Sequence, residues 1–484
     1  HSVTMPQTVR RLVSNMPRAK NKTQFVCESC GNDTPKWTGQ CSSCAEWNTL
    51  VEMRVDALET HTRAWDVASI NDAEELSEVS VDQVPRLETG SSEVNRVLGG
   101  GVVPGSLVLV SGDPGIGKST LLLKLASDVA RVAGGVLYVS GEESAAQIKI
   151  RAERMGLSGQ GVFLLEATDL DRVIMEAEAR KPKLVVVDSI QTIYNARLEA
   201  APASVSQIKE CTRLLMGWAK SEGVPILLSG HVTKGGDVAG PKVMEHMVDA
   251  VLYMEGDPIS SWRLLRSVKN RFGSTNEVGV FEMSSSGLTD VEDPSQAFIA
   301  ERRDDSFGSV IVSIIEGSRP LLTEVQALTN PSIFGTPRRV ANGVDFNRIL
   351  VVCAVLSRQV GLPLATQDVV INIVGGMRVD EPASDLAVAL AIASSVQDVP
   401  VRHHMAAIGE IGLTGEIRRV PQLDRRVQEA ARLGLKFCVV PSVGSESVVP
   451  PKGMELLPVE TLRQAIRASI GVSNVLRTSD AVES

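Results

Sequence analysis

The sequence predicts an α/β protein of more than one domain, built around a mostly parallel sheet, and three observations point there. Between about residues 86 and 290, short β-branched runs (Leu107–Ser111, Gly135–Ser140, Leu184–Asp188, Pro225–Ser229) alternate with helical stretches such as Ser119–Val132 and Ser206–Glu222. Apolar runs bounded by Gly-rich turns and separated by amphipathic helices are the pattern of buried parallel strands with crossover helices. A Gly-rich phosphate-loop motif stands at the first of these strand–helix junctions, and four of the seven cysteines crowd into residues 27–44, well apart from it. At 484 residues the chain exceeds what one hydrophobic core usually serves.

Taken in order, residues 1–24 hold Arg10, Arg11, Arg18, Lys20 and Lys22 and no acidic residue. They read as a basic arm, either solvated and flexible or in contact with DNA. Residues 25–50 hold the cysteine cluster. Residues 51–85 are mixed and acidic, without periodicity, and read as a linker ending near Pro85. The sheet-forming segment covers 86–290. A break around Glu292–Ser295 opens a second α/β segment, 300–470, with strands near Ser309–Glu316 and Leu321–Ala327 and helices over Arg348–Val360 and Ser384–Ser395. Residues 471–484 are polar and read as a flexible tail.

Hydrophobic residues make up 43% of the chain and charged residues 22%, a globular composition, while aromatics reach only 4%, so Val, Leu, Ile and Ala must fill the cores. The net charge of −9 gives no global attraction to nucleic acid, and any DNA contact has to come from local basic patches or a channel. No apolar run approaches the roughly 20 residues that span a bilayer. The start lacks an apolar signal core, and the expectation is a cytoplasmic protein with no membrane partner.

Gly112-Asp113-Pro114-Gly115-Ile116-Gly117-Lys118-Ser119 matches G-x-x-x-x-G-K-[ST] in full, after a strand and before a helix. The glycines let backbone N–H groups turn towards phosphate oxygens at a positive helix end. Lys118 is expected to reach the β and γ phosphates of ATP and Ser119 to meet Mg²⁺, with Thr120 next in the loop. Leu184–Asp188 is an apolar strand ending in a carboxylate, the Walker B arrangement that helps hold the metal. Hydrolysis also needs a carboxylate to orient or deprotonate water. Glu142, at the end of the strand Tyr138–Ser140, is the candidate, with Glu143 its neighbour and competitor; the alternative is a glutamate favoured only by a helix dipole.

Cys27-x-x-Cys30 and Cys41-x-x-Cys44 offer four thiolates as two knuckles, the soft tetrahedral set of a closed structural Zn²⁺ site. Redox pairs are the other reading. Lys36 and Trp37 on the intervening loop are candidate contacts for a partner or DNA, although Trp37 could equally pack on the small metal core.

Four strings, Leu98-Gly99-Gly100-Gly101-Val102-Val103-Pro104-Gly105, the phosphate loop, Ser140-Gly141-Glu142-Glu143-Ser144 and Lys269-Asn270-Arg271-Phe272-Gly273, together resemble the bacterial RadA/Sms family of recombination and repair ATPases. The resemblance spans nearly the whole chain, and the Lys-Asn-Arg-Phe-Gly string is its most specific part. It implies a RecA-like ATPase core, an N-terminal zinc finger, and a hexameric, DnaB-like ring that drives branch migration on single-stranded and branched DNA beside a RecA recombinase. It also implies that Glu142 is the catalytic glutamate and that His231, in Leu228-Ser229-Gly230-His231 at the end of the next strand, senses the γ-phosphate, although a lone His is often structural. Lys269 and Arg271 would reach the ATP of a neighbouring subunit, where the plain reading is a solvated strand edge.

Residues 300–470 resemble the proteolytic domain of Lon. Aligned on Pro382, the nucleophile position is Ala383, and the catalytic lysine position falls on Asp424. Ser–Lys catalysis needs a hydroxyl and an amine, so the expectation is an inactive protease fold kept as a ring-forming scaffold. The pairs Arg338-Arg339, Arg418-Arg419 and Arg425-Arg426 could line a DNA-facing surface or serve as solvated charges and subunit salt bridges. The function expected is a DNA-stimulated ATPase motor. The alternatives are an ATP-dependent Lon-like protease and a nucleotide-switched adaptor that does not translocate.

Overall fold

The computed structural model describes residues 22–27, 33–34, 36–42, 44–55, 85–230, 242–256, 261–300, 302–303, 306–333 and 336–470. His231 and Cys30 lie outside the described residues, as do most of the basic arm, the acidic stretch 56–84 and the tail.

The alternating segment forms a nine-stranded sheet. Six strands are parallel, in the spatial order Ala250–Glu255, Leu107–Gly112, Ile226–Ser229, Leu184–Asp188, Val136–Ser140, Val162–Glu166. Three antiparallel strands, Trp262–Asn270, Val278–Ser284 and Gly287–Asp290, extend it beyond Ala250–Glu255. The four central strands are apolar up to their C-terminal ends because both faces are covered, and the polar residues Ser111, Ser229, Asp188 and Ser140 stand at those ends. The helix Lys118–Val132 closes one face around Leu122, Leu125 and Val129, and the helices Leu170–Arg180 and Val205–Glu222 close the other around Val173, Leu215 and Trp218. Side chains alternate between these two cores along each strand, with Val108 and Val110 in one and Leu107 and Leu109 in the other.

The C-terminal unit is a seven-stranded mixed sheet. The helix Asp385–Gln397 is apolar on all sides and buried over nearly its whole length, the signature of a central helix. Asp385, at its first turn, is held by Arg348 Nη2 at 2.8 Å and by the Ile411 amide at 3.2 Å. The helix Leu423–Arg432 covers the opposite face.

A hairpin tip joins the two units. Arg266, on the strand Trp262–Asn270, pairs with Glu255 at 2.8 Å and with Glu316 at 2.6 Å. Arg319 meets the buried Glu93 at 2.7 Å, and Ser318 donates to Glu277 at 2.6 Å. Burial pushes the Glu316 carboxyl above its ordinary pKa, and Arg266 pulls it back. A polar cavity of about 600 Å³ lies along this seam, lined among others by Glu255, Arg266, Glu316 and Glu381.

The small N-terminal sheet pairs Lys22–Cys27 with Leu50–Val55 over six register positions. The ribbon sheet therefore starts before residue 25 and runs past residue 50. Strand pairing across the pseudo-hairpin needs both edges, and composition alone does not show it. Among the described residues no helix is long and apolar enough to cross a membrane.

Candidate functional site

The phosphate loop leaves the central strand Leu107–Gly112 and enters the helix Lys118–Val132. Its glycines are required at two points. Gly117 has φ +116°, and a Cβ there would come within 2.5 Å of Met283 Cε; Gly112 has φ +149°, and a Cβ would come within 2.5 Å of the Met254 carbonyl oxygen. Gly115, by contrast, has open space on its Cβ side, and Pro114 beside it is exposed, so the loop is backed by protein on one side and accessible on the other. Ile116 is buried and anchors the loop, and its carbonyl accepts from Arg263 Nε at 3.2 Å.

Lys118 is only 4% exposed. Its ammonium donates to the carbonyls of Gly112 at 2.9 Å and Asp113 at 3.0 Å, curled under the loop. Burial pushes its pKa down, and the nearby Asp188, Asp113 and Glu142 pull the other way. One buried cation thus feels the two carboxylates that the sequence assigned to metal and water. Ser119 and Thr120 follow it in the first turn, both partly exposed.

Asp188 ends its strand beside Ser140, its register partner on the adjacent strand. Its Oδ2 accepts from Tyr138 Oη at 2.8 Å, and burial together with this carboxylate holds the Tyr138 phenol in its protonated form, well above the ordinary pKa. Glu142 accepts from Ser189 Oγ at 2.6 Å. It lies ahead of the helix Ala145–Arg154, whose cap is Ser144 with a capping box to Gln147, so Glu142 is not a first-turn dipole residue. Its competitor Glu143 is engaged by Arg151, and its backbone is tied to Ser140 Oγ.

Lys269 and Arg271 occupy the other end of the sheet. Asn270 pairs with Ala250, which pairs with Val108, whereas the phosphate loop begins at Gly112. Four residues of strand separate those levels, roughly 13 Å at the rise of an extended chain. A bulge between Ser267 and Lys269 re-aims the strand end. Lys269 Nζ donates to the carbonyls of Glu245, His246 and Val248 at 2.7, 3.2 and 2.8 Å. Burial and the Arg271 charge push its pKa down. Arg271 is 50% exposed and pairs with the buried Asp249 at 3.2 Å. Asp249 also accepts from the Leu107 amide at 3.0 Å, so one acid ties the arginine to the start of the phosphate-loop strand.

In the ribbon, the sulfurs of Cys27, Cys41 and Cys44 lie within 4.8 Å of one another, and Cys27 Sγ is 3.6 Å from Cys44 Sγ. A tetrahedral zinc with bonds of about 2.3 Å spaces its sulfurs about 3.8 Å apart, so the three described thiols fit such an ion.

Ala383 is buried in the turn Pro382–Ser384, and Ser384 Oγ donates to the Glu381 carbonyl at 2.8 Å. Asp424 is exposed. Arg426 corrects the expectation of a surface pair. It is 1% exposed, with a bidentate bridge to Glu381 at 2.7 and 2.6 Å and a bond to the Ser313 carbonyl at 2.7 Å. Arg418 and Arg425 stay at the surface, while Arg339 is turned onto the Leu364 and Gln367 carbonyls. Removing one partner of such a buried pair leaves an unpaired charge and costs about 3–5 kcal/mol. Arg426→Met should therefore lower the unfolding temperature of the C-terminal unit in calorimetry, and adding Glu381→Leu should recover part of the loss. An unchanged transition in the single variant would show that the bridge holds nothing together.

Sequence reasoning missed Tyr138, Ser189 and Asp249. A phenol inside an apolar strand and a serine directly after the strand-ending aspartate were readable hints. Asp249 carries no local signal, since only tertiary pairing makes it a hub.

Family models described as an AAA domain, a rubredoxin metal binding domain and subunit ChlI of Mg-chelatase match residues 71–237, 25–52 and 327–443. The DNA repair protein RadA of Bacillus subtilis (strain 168) is 48% identical over 456 residues, covering 94% of this chain and 100% of that one. The DNA repair protein RadA of Listeria monocytogenes serovar 1/2a is 46% identical over 455 residues, with 94% and 100% covered. A crystal structure of the RadB recombinase aligns with a TM-score of 0.35 and 24% identity, covering 43% of this chain and 100% of that one. With a zinc ribbon, an ATPase domain and a ChlI- or Lon-like domain in the order the sequence led one to expect, the chain belongs to the RadA family of DNA repair proteins.

Proposed function

We propose that this chain is a DNA-dependent ATPase of the helicase or branch-migration kind that acts on recombination intermediates as a hexameric ring in the cytoplasm. The observation that carries the reading is a complete phosphate loop with Lys118 buried in it, in the same sheet whose strand ends carry Asp188 and Glu142, each held by its own hydroxyl donor. In this reading the loop Gly112–Thr120 holds ATP, with its backbone N–H groups and Lys118 on the phosphates. Ser119 and Asp188 hold Mg²⁺, which supplies charge neutralisation at the transferring phosphate. Glu142 takes or orients the proton of the attacking water, and Ser189 fixes its carboxylate. His231 senses the γ-phosphate.

Arg271 and Lys269 serve a neighbouring subunit. They stand at the opposite end of the sheet from their own phosphate loop, and Arg271 is exposed there. Lys269 would have to exchange its three carbonyl partners to do so. The C-terminal domain acts as a scaffold and not as a protease, because Ala383 offers no nucleophile and Asp424 stands where the catalytic amine is needed. Single-stranded and branched DNA and a RecA recombinase are the partners.

The test is ATPase rate with and without single-stranded DNA, run beside casein degradation. Stimulation by DNA with intact casein is expected. A rate indifferent to DNA favours the adaptor reading, and ATP-dependent loss of casein restores the protease reading.

The fourth zinc ligand in this reading is Cys30. Chelation, or Cys41→Ala, should release about one zinc per chain. Circular dichroism and ATPase activity of the core should persist, since the ribbon has its own small core of Cys27, Cys41 and Leu50. Freshly purified, reduced protein without zinc would remove the metal from the account.

A further inference from the structure

The ribbon leaves its largest side chains outside. Its core consists of Cys27, Cys41 and Leu50, with Phe25 and Cys44 packed against them, while Trp37 is 54% exposed and Trp47 is 69% exposed. Two indoles out of five in the whole chain stand on one small surface, where their transfer to water is costly and their retention asks for an occupant.

Their relative placement is built by the fold. Residues 39–41 and 46–48 run antiparallel. The Asn48 amide donates to the Gly39 carbonyl at 2.8 Å, the Cys41 amide donates to the Glu46 carbonyl at 2.9 Å, and Gln40 bridges Trp47. The Trp37 indole N–H donates to the Leu50 carbonyl at 3.1 Å, which fixes that ring against the neighbouring strand. Both rings converge on Gly39. A Cβ built there would lie 3.5 Å from Trp47 and 3.9 Å from Trp37, ordinary contact distances, so Gly39 marks the point of the surface that both rings share.

The stretch of sequence that leads into and carries this surface differs in charge from the rest of the chain. Residues 1–55 carry seven Lys and Arg against four Asp and Glu, a net +3, in a chain whose total is −9. Lys36 stands exposed next to Trp37. Two exposed indoles that follow a basic stretch of sequence suit a polyanion that also presents flat faces. Single-stranded DNA does so, because its bases are unstacked enough to lie on an indole and its phosphates follow the basic residues. Duplex DNA hides its base faces, and a wholly apolar peptide leaves the charge unused.

We propose that Trp37 and Trp47 form a stacking platform for the bases of single-stranded DNA, placed on the ribbon ahead of the ATPase domain. This rests on the DNA-motor reading and adds a contact outside the nucleotide-binding domain. Base stacking on an aromatic ring is typically worth about tenfold or more in affinity per base.

The full-length zinc-loaded protein is titrated with oligo(dT) and, separately, with an abasic oligomer of the same length, following tryptophan emission and fluorescence anisotropy. Oligo(dT) should quench the emission and the abasic chain should not. Trp37→Phe with Trp47→Phe should abolish the quench yet keep most of the affinity, because phenyl rings still stack. Trp37→Ala with Trp47→Ala should weaken oligo(dT) binding by about tenfold or more while abasic binding stays unchanged. Metal analysis confirms one zinc in each variant. If the Ala pair loses zinc, the Phe pair and the wild-type quench decide the matter.

Tight oligo(dT) binding with unmoved emission would overturn the platform and leave the motor reading standing. Absence of any oligo(dT) binding or DNA-stimulated hydrolysis would overturn both. A quench by a protein partner alone, with none by oligo(dT), would reassign the surface to protein docking and overturn the proposal.

Discussion

Lys118→Ala is expected to abolish ATP hydrolysis, with a loss of at least about 10²-fold in turnover at saturating ATP. The ammonium is the one cation in the phosphate loop, and in the structure it is already withdrawn from water and held against the loop's own carbonyls at 2.9 and 3.0 Å. Exchange of those two carbonyls for phosphate oxygens costs little, since the desolvation has been met on folding. Alanine at this first helical position keeps the helix, whose N-terminus is set by Gly117 and the Leu121 amide bond to its carbonyl at 2.9 Å. The variant should therefore fold and unfold as the parent does, with the loss confined to turnover. Undiminished hydrolysis, measured by phosphate release, would show that the engine lies elsewhere in the chain.

Arg271→Ala is expected to leave ATP binding intact and to slow hydrolysis by on the order of 10³-fold, the typical loss when an arginine that neutralises transition-state charge is removed. Arg271 lies beyond Asn270, level with Val108, at the end of the sheet away from its own Gly112. In the proposed ring its effect on hydrolysis is exerted on another subunit. Mixing Arg271→Ala with Lys118→Ala chains should restore partial activity, because some interfaces then combine an intact loop with an intact finger. If mixed rings form and remain as inactive as either parent, the arginine merely secures Asp249 and the strand ends. A loss of stability in Arg271→Ala would support the same outcome, since Asp249 is buried and Arg271 is the charged group paired with it here.

The phosphate loop and the Walker B strand were legible because their chemistry is local. Three spaced glycines before Lys118 and four apolar residues before Asp188 carry their reason within a few positions of chain. The cysteine knuckles are readable for the same cause. The surface assignment of Arg426 failed for the opposite cause. Next to Arg425 and Arg432 it reads as one more solvated cation on a helix with strong charge, and only the approach of Glu381 from 45 residues away turns it into a buried bridge.

What the sequence by itself determined is the order of domains, the parallel character of the central sheet, and the loop, Asp188 and the cysteines, because each follows from periodicity or from ligand spacing along the chain. The tertiary structure alone decided how the two neighbouring glutamates are held, Glu142 by the Ser189 hydroxyl and Glu143 by Arg151, and where Arg271 stands relative to Lys118. It also decided that the ribbon uses both flanking strands and turns two indoles outward. Those outcomes depend on strand register and on contacts between distant segments. Such contacts form only once loop closure and burial have been settled over the whole chain, so no window of sequence contains them.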